Sequence, residues 1–372
     1  MKSILTFIAF MLGICIIISP AIWAEESGTV QSADELFQQG NDFFAQGKMQ
    51  EAILAYEKAI EKNPQHVGAL SNKAAALSQL GDFEQAMQIC DQAIKIDPKY
   101  ANAWTNKGNS LTELGRYEEA ISAYNESTTI DSNTGEAWYN MGLALVFLSR
   151  YEEAIQSYNK SIEADPQNAE AWYNKGLALG SLGRYDEAML SYDEATKIDP
   201  QHAKAWSNKG MILGSMGRYD EAITALDEAI KIDPRLAEAW YNKGMALFAL
   251  GKRDDAVTAF DEAIAIKPQF ALAWRNKGQV LVSQGKHNEA LQAFDEAIRI
   301  NPLYEAAWYS KALALAEMGK LEDAVQALNE TLTINPQFAE AWQKKAIDLQ
   351  ALGRSHEAQD AFARANELGF AG

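Results

Sequence analysis

Tryptophan occurs at 104, 138, 172, 206, 240, 274, 308 and 342, each 34 residues after the last, with no insertion or deletion across eight copies. A fixed period of that length means one supersecondary unit stacked on copies of itself. Stacked units make long surfaces rather than enclosed pockets. The period therefore overrides the two or three globular domains that 372 residues would otherwise suggest.

The copy at 169–202 shows what the unit is. Trp172, Gly176 and Leu179 recur at helical spacing and mark one stripe of a first helix. Gly183 ends that helix, because glycine takes the left-handed conformation at little cost. Tyr185, Ala188, Tyr192 and Ala195 form the stripe of a second helix, and Pro200 stops it. In a frame starting at Ala33, a glycine fills the position of Gly183 in nine copies, with Ser149 the exception. Alanine holds one position in every copy (Ala52, Ala86 and so on to Ala358), and eight of the nine prolines hold another. Each unit is a helical hairpin whose apolar side needs a neighbour. Ser32 and Glu35 spell a capping box for the first helix.

Trp, Gly, Tyr, Ala, an aromatic, Ala and Pro across one period make residues 33–372 resemble the tetratricopeptide repeat (TPR) family. The resemblance implies an all-α fold, a right-handed alpha-solenoid superhelix of ten 34-residue helix-turn-helix repeats beginning at 33, 67, 101, 135, 169, 203, 237, 271, 305 and 339. It also implies first helices lining a concave groove and second helices on the convex side. One departure is plain: the position before the repeat glycine, usually leucine in the family, is lysine at 73, 107, 175, 209, 243, 277, 311 and 345. A lysine there either covers apolar surface with its stem or forms a cationic ladder for a ligand. At the ends, Asp42 and Asp348 replace the Ala, Ser, Ile or Val of inner copies, and Gln359 and Asn366 replace apolar residues. These read as polar outer faces of terminal repeats, so the array is expected to be capped at both ends.

Residues 1–24 hold Lys2, an apolar run from Ile4 to Ser19, then Pro20 and Ala24 before Glu25-Glu26. They read as a cleaved secretory signal or a retained membrane anchor, followed by a polar linker over 25–32. Both alternatives place the array outside the cytoplasm, whether secreted, periplasmic or anchored to the outer face of the membrane. Membrane contact is expected only through that segment, if uncleaved. The formal charge of −18 disfavours phosphate backbones, so no nucleic acid is expected. Cys15 and Cys90 make no disulfide framework, and His66, His202, His287 and His356 show no common motif. No metal-ligand spacing, phosphate loop or nucleophile motif stands out. The expectation is therefore a non-enzyme with no cofactor, no metal and no small-molecule substrate.

Positions opposite the tryptophan stripe are the candidate peptide-binding groove. Asn72, Asn106, Asn140, Asn174, Asn208, Asn242 and Asn276 form a row at repeat spacing. An amide carries both donor and acceptor, suited to the backbone of an extended chain. The row is similar to the asparagines in the groove of the O-GlcNAc transferase repeat domain, which implies a grip on peptide backbone. Repeated duplication alone would also copy an asparagine. Beside the row lie Tyr139, Tyr173, Tyr241, Leu143, Leu177, Met211, Met245, Phe147 and Phe248, residue types that interfaces favour. The family's charged clamp for acidic chaperone tails does not transfer, because Thr105, Asn109, Asn140, Glu170 and Asn174 supply no cation. Sequons at Asn125, Asn159 and Asn329 share one position on the second helix. Their Ser or Thr replaces an inward alanine, which explains them without glycosylation. The leading expectation is an extracytoplasmic protein–protein interaction scaffold holding an extended peptide of a partner protein. The alternative is self-assembly into a homo-oligomer, or assembly of a cell-envelope complex, through the convex face or the array ends.

Overall fold

The computed structural model describes residues 31–369. The segment expected to be a signal or anchor, 1–24, lies outside the described residues. Among the described residues the secondary structure is helical throughout, and the chain forms two compact units that divide after Gly115.

The first unit holds α1 (Ala33–Ala45), α2 (Met49–Lys62), α3 (Val67–Gln79), α4 (Phe83–Ile96) and α5 (Ala101–Glu113). Ser32 caps α1 through the box read from sequence: Ser32 Oγ accepts from the Glu35 amide at 3.1 Å, and Glu35 Oε2 accepts from the Ser32 amide at 2.8 Å. The second unit holds α6 (Tyr117–Ile130), α7 (Gly135–Phe147), α8 (Tyr151–Ala164), α9 (Ala169–Ser181), α10 (Tyr185–Ile198), α11 (Ala203–Ser215) and α12 (Tyr219–Ile232). It continues with α13 (Ala237–Ala249), α14 (Arg253–Ile266), α15 (Ala271–Ser283), α16 (His287–Ile300), α17 (Glu305–Glu317), α18 (Leu321–Ile334), α19 (Ala339–Ala351) and α20 (Ser355–Glu367). Within each unit, odd- and even-numbered helices adjacent in the chain pair as tandem antiparallel hairpins, and each even-numbered helix then packs on the next odd one. This is an alpha-solenoid built from local contacts.

Two glycine positions make the hairpin. Gly183 sits at φ 72° with open space around a would-be Cβ, so conformation alone explains it. Ser149 takes the same left-handed turn at φ 57°, carrying the strain that glycine avoids elsewhere. Gly176 is there for closeness instead: a Cβ would fall 2.6 Å from Tyr192 Cε1. The core runs along these closest approaches, with Tyr56, Tyr124, Tyr158, Tyr192, Phe260 and Phe294 fully buried and the invariant alanines Ala52 to Ala324 at zero exposure.

The tryptophans do a different job. Each of the eight is partly buried, and its indole N–H donates to the carbonyl six residues earlier, as in Trp206 to Pro200 at 3.2 Å and Trp342 to Pro336 at 3.0 Å. Trp138 keeps the bond to Ser132 (3.0 Å), where proline is absent. The indole thus fastens the loop between hairpins to the helix that follows, satisfying a loop carbonyl just beyond the end of the second helix.

The end positions correct one expectation. Asp42 is exposed, but Asp348 is only 2% exposed and pairs with Lys344 at 2.7 Å. That position faces the preceding hairpin. No helix precedes α1 among the described residues, whereas Asp348 lies close enough to Tyr309 on α17 to help push its phenol pKa up. Asp348 is an internal ion-pair residue and not a polar outer face.

Candidate functional site

Within the second unit successive odd-numbered helices meet directly, α7 with α9, α11 with α13, α13 with α15 and α15 with α17. Among the described residues no two even-numbered helices pack to that extent, so the odd-helix face is the tighter side of this unit. Positions of each odd helix opposite the tryptophan stripe lie there, and they include every site residue expected from sequence after 115.

The asparagine row is real but partly committed. Asn174 Nδ2 donates to Tyr139 Oη at 3.0 Å and to the Glu170 carbonyl at 2.9 Å. Asn208 Nδ2 reaches Tyr173 Oη at 3.2 Å. Asn276 Nδ2 reaches Tyr241 Oη at 2.8 Å and Met245 Sδ at 3.2 Å, while its Oδ1 accepts from Arg275 at 3.2 Å. Each amide therefore braces one odd helix against the one before. The backbone carbonyl partner of Asn174 fixes which end of the amide is nitrogen, so its Oδ1 is the end turned away from the brace. Asn276 is only 5% exposed and lies beneath Arg275, Tyr241 and Met245. Asn140 and Asn242 are half-buried on the same line. In the first unit the row takes smaller partners: Asn72 Nδ2 donates to Asn41 Oδ1 at 2.8 Å, and Asn106 Nδ2 to Ser71 Oγ and the Ser71 carbonyl at 3.0 Å.

The aromatic positions are set by the core behind them. Tyr139, Tyr173 and Tyr241 tilt against the buried rings of Tyr158, Tyr192 and Phe260 at 6.0, 6.1 and 5.8 Å. Burial, joined by the nearby Glu170 carboxylate, raises the pKa of the Tyr139 and Tyr173 phenols, and the asparagine bonds oppose this. Burial also raises the pKa of Tyr241. All three present neutral hydroxyls.

Met211 and Met245 are 40% exposed, with Leu143 and Leu177 half-buried at the same position of earlier helices. They make an apolar line beside the amides. Phe147 is 66% exposed and stacks on Tyr117 at 4.8 Å. Phe248 packs instead on the core cluster of α13–α15, so its ring is partly withdrawn.

Sequence reading missed a histidine device. His66 and His202 stand four repeats apart at one position, where each caps the next odd helix: Nδ1 accepts from the Ala69 amide at 3.1 Å and from Ala205 at 3.2 Å. Their Nε2 atoms lie 3.3 Å from Asp34 and 3.2 Å from Glu170, and their rings pack on Phe37 and Tyr173 at 4.7 and 4.6 Å. Asn168 caps Ala171 from the same position. The shared register of 66 and 202 was the available signal. Among the described residues no group of three or more His, Cys, Asp or Glu side chains is placed to hold a metal, and no helix is long and apolar enough to cross a membrane. Cys90 is fully buried, and burial, with Asp91 nearby, pushes its thiol pKa up to about 12, so it packs rather than reacts.

Tetratricopeptide repeat models match residues 43–109, 99–167, 139–203, 191–224, 208–271, 241–305 and 275–337, and one of them alone covers more than half of the chain. The chain belongs to the tetratricopeptide repeat family. Over 48 residues it is 48% identical to the Hsp70-Hsp90 organizing protein 1 of Arabidopsis thaliana, which is 13% of this chain and 8% of that protein. Hsp70-Hsp90 organizing protein 3 of the same plant is 45% identical over 49 residues, 13% of this chain and 9% of that protein. The matches thus span less than a tenth of these relatives. Among solved structures, YrrB, described as a TPR protein with an unusual peptide-binding site, is 28% identical with a TM-score of 0.46, covering 50% of this chain and 97% of that one. Yeast Tom70 is 16% identical with a TM-score of 0.45, covering 91% and 92%. MamA is 28% identical with a TM-score of 0.42, covering 43% and 94%. As a TPR protein, the chain is an interaction scaffold.

Proposed function

We propose that this scaffold binds an extended segment of a partner protein along the odd-helix face of α7–α15 and acts by binding, not catalysis. The observation that carries the reading is the pairing of two lines at repeat spacing. One is the asparagine row with the Asn174 carbonyl turned outward; the other is the apolar line of Leu143, Leu177, Met211 and Met245. Backbone N–H groups of an extended chain meet the first, and alternate side chains meet the second. The amides' N–H sides already brace the tyrosines, so the ligand is held mainly as a hydrogen-bond donor. Residues 1–24 support an extracytoplasmic setting, which the intact mass of the mature N-terminus tests.

The binding test uses Met211→Glu with Met245→Glu. Both side chains are 40% exposed, so the double variant keeps its melting temperature near wild type while affinity for the captured partner falls about tenfold or more. Unchanged affinity in a folded variant rules out this face. Concentration-dependent light scattering, with loss of self-association in variants outside this face, favours homo-oligomerisation instead.

A further inference from the structure

The lysine row resolves into two chemical states. At six junctions the ammonium meets a carboxylate on the preceding even-numbered helix: Lys73 with Glu57 at 2.9 Å, and Lys107, Lys209, Lys243, Lys277 and Lys311 with Asp91, Asp193, Asp227, Asp261 and Asp295 at 2.6 Å each. Six of the eight cations are thus neutralised within the chain, and the five from Lys107 onward also lie over tryptophan rings, as Lys209 does over Trp206 at 4.8 Å.

The three sequon asparagines, Asn125, Asn159 and Asn329, occupy the place of that acid in the remaining junctions. After Asn125 the lysine is gone as well, replaced by the buried Met141. After Asn159 and Asn329 the lysine stays. Lys175 and Lys345 are half-buried, with Nζ 4.9 Å from the Trp172 and Trp342 rings. Among the described residues, neither has a carboxylate within ion-pair distance. Burial lowers the proton affinity of both amines. Glu187 and Glu357 oppose this in part, and Arg184 and Arg354 add to it.

We propose that Lys175 and Lys345 are acylation sites, the two amines of the row that an activated acyl donor such as a thioester modifies in the folded chain. An amine is nucleophilic only when neutral, and a half-buried amine without a counter-ion gives up its proton more readily than one held against a carboxylate. The neutral nitrogen adds to the acyl carbon, the C–N bond forms as the C–S bond breaks, the thiolate leaves, and the surplus proton passes to water. The product amide has no charge to place over the indole. This inference is independent of the peptide-binding face.

Competitive labelling of the full chain with trace acetic anhydride, read per lysine by peptide mass spectrometry and normalised to the denatured chain, tests it. Lys175 and Lys345 label about fivefold or more faster than Lys209 and Lys243. Asn159→Asp slows Lys175 to the level of Lys209 and leaves Lys345 unchanged, whereas Asp193→Asn accelerates Lys209. Equal native rates across the row, or a Lys175 rate that Asn159→Asp does not move, overturns the proposal. Circular dichroism checks each variant. If Asn159→Asp does not fold, the wild-type rates and Asp193→Asn decide.

Discussion

The hairpin of α3 and α4 and the hairpin of α9 and α10 meet the same packing requirement with different residues. In the first, Ala74 stands where the second has Gly176, and its core partner is Cys90 where the second has Tyr192. The odd helix has gained a methyl, and a thiol stands where the ring was on the even helix. The odd-helix faces differ as well: Ser71, Asn72 and Ala75 on α3, against Tyr173, Asn174 and Leu177 on α9. The hairpin geometry couples the two residues of this contact, a larger one on the odd helix going with a smaller one across from it, and leaves the outward chemistry free. The same frame therefore carries a small polar face in one region and an aromatic, apolar one in the other.

The sharpest way to break this comparison is Gly176→Ala. Its Cβ would sit 2.6 Å from Tyr192 Cε1, and the buried ring has nowhere to retreat. Overpacking of about 3 kcal/mol exceeds the roughly 1 kcal/mol of helix propensity gained, for a net loss of about 2 kcal/mol in urea unfolding. Ala74→Gly relieves no clash and loses about 1 kcal/mol of propensity plus roughly 0.8 kcal/mol from its buried methyl. The double variant Gly176→Ala/Tyr192→Cys, which imitates the Ala74–Cys90 contact, destabilises by less than the sum of its singles; strict additivity would refute volume compensation.

A gentler probe is alkali. Burial raises the Tyr158 and Tyr192 pKa values well above the ordinary tyrosine value of 10.0. The unfolded chain therefore loses these protons first, and stability falls as pH rises above about 10. Tyr158→Phe with Tyr192→Phe, matching the Phe260 and Phe294 hairpins, shifts the alkaline unfolding midpoint upward. The smallest effect belongs to the turns. Ser149→Gly relieves a φ of 57° and raises stability by about 1 kcal/mol in thermal unfolding.

Most of the fold was legible in the sequence because its determinants are local. The Gly183 turn, the Ser149 exception and the Ser32–Glu35 cap each depend on residues within one turn of each other. The candidate site was legible only as rows. Asn174 meets Tyr139, 35 residues earlier, and Lys107 meets Asp91, 16 earlier. Both pairings depend on how one hairpin docks on the last, which no single period reveals. Asp348 was misread for the same reason: its position faces backward along the stack, so being near the last described helix did not expose it.

The indole bonds carry a consequence for anyone handling the molecule. Every Trp Nε1 from 104 to 342 is tied to a loop carbonyl, so parting a hairpin that carries one of these tryptophans from the hairpin before it releases one chromophore into water. Intrinsic fluorescence therefore works as a zipper gauge: substituting tryptophans singly by phenylalanine would tell from the remaining emission which tooth opens first under heat, denaturant or load.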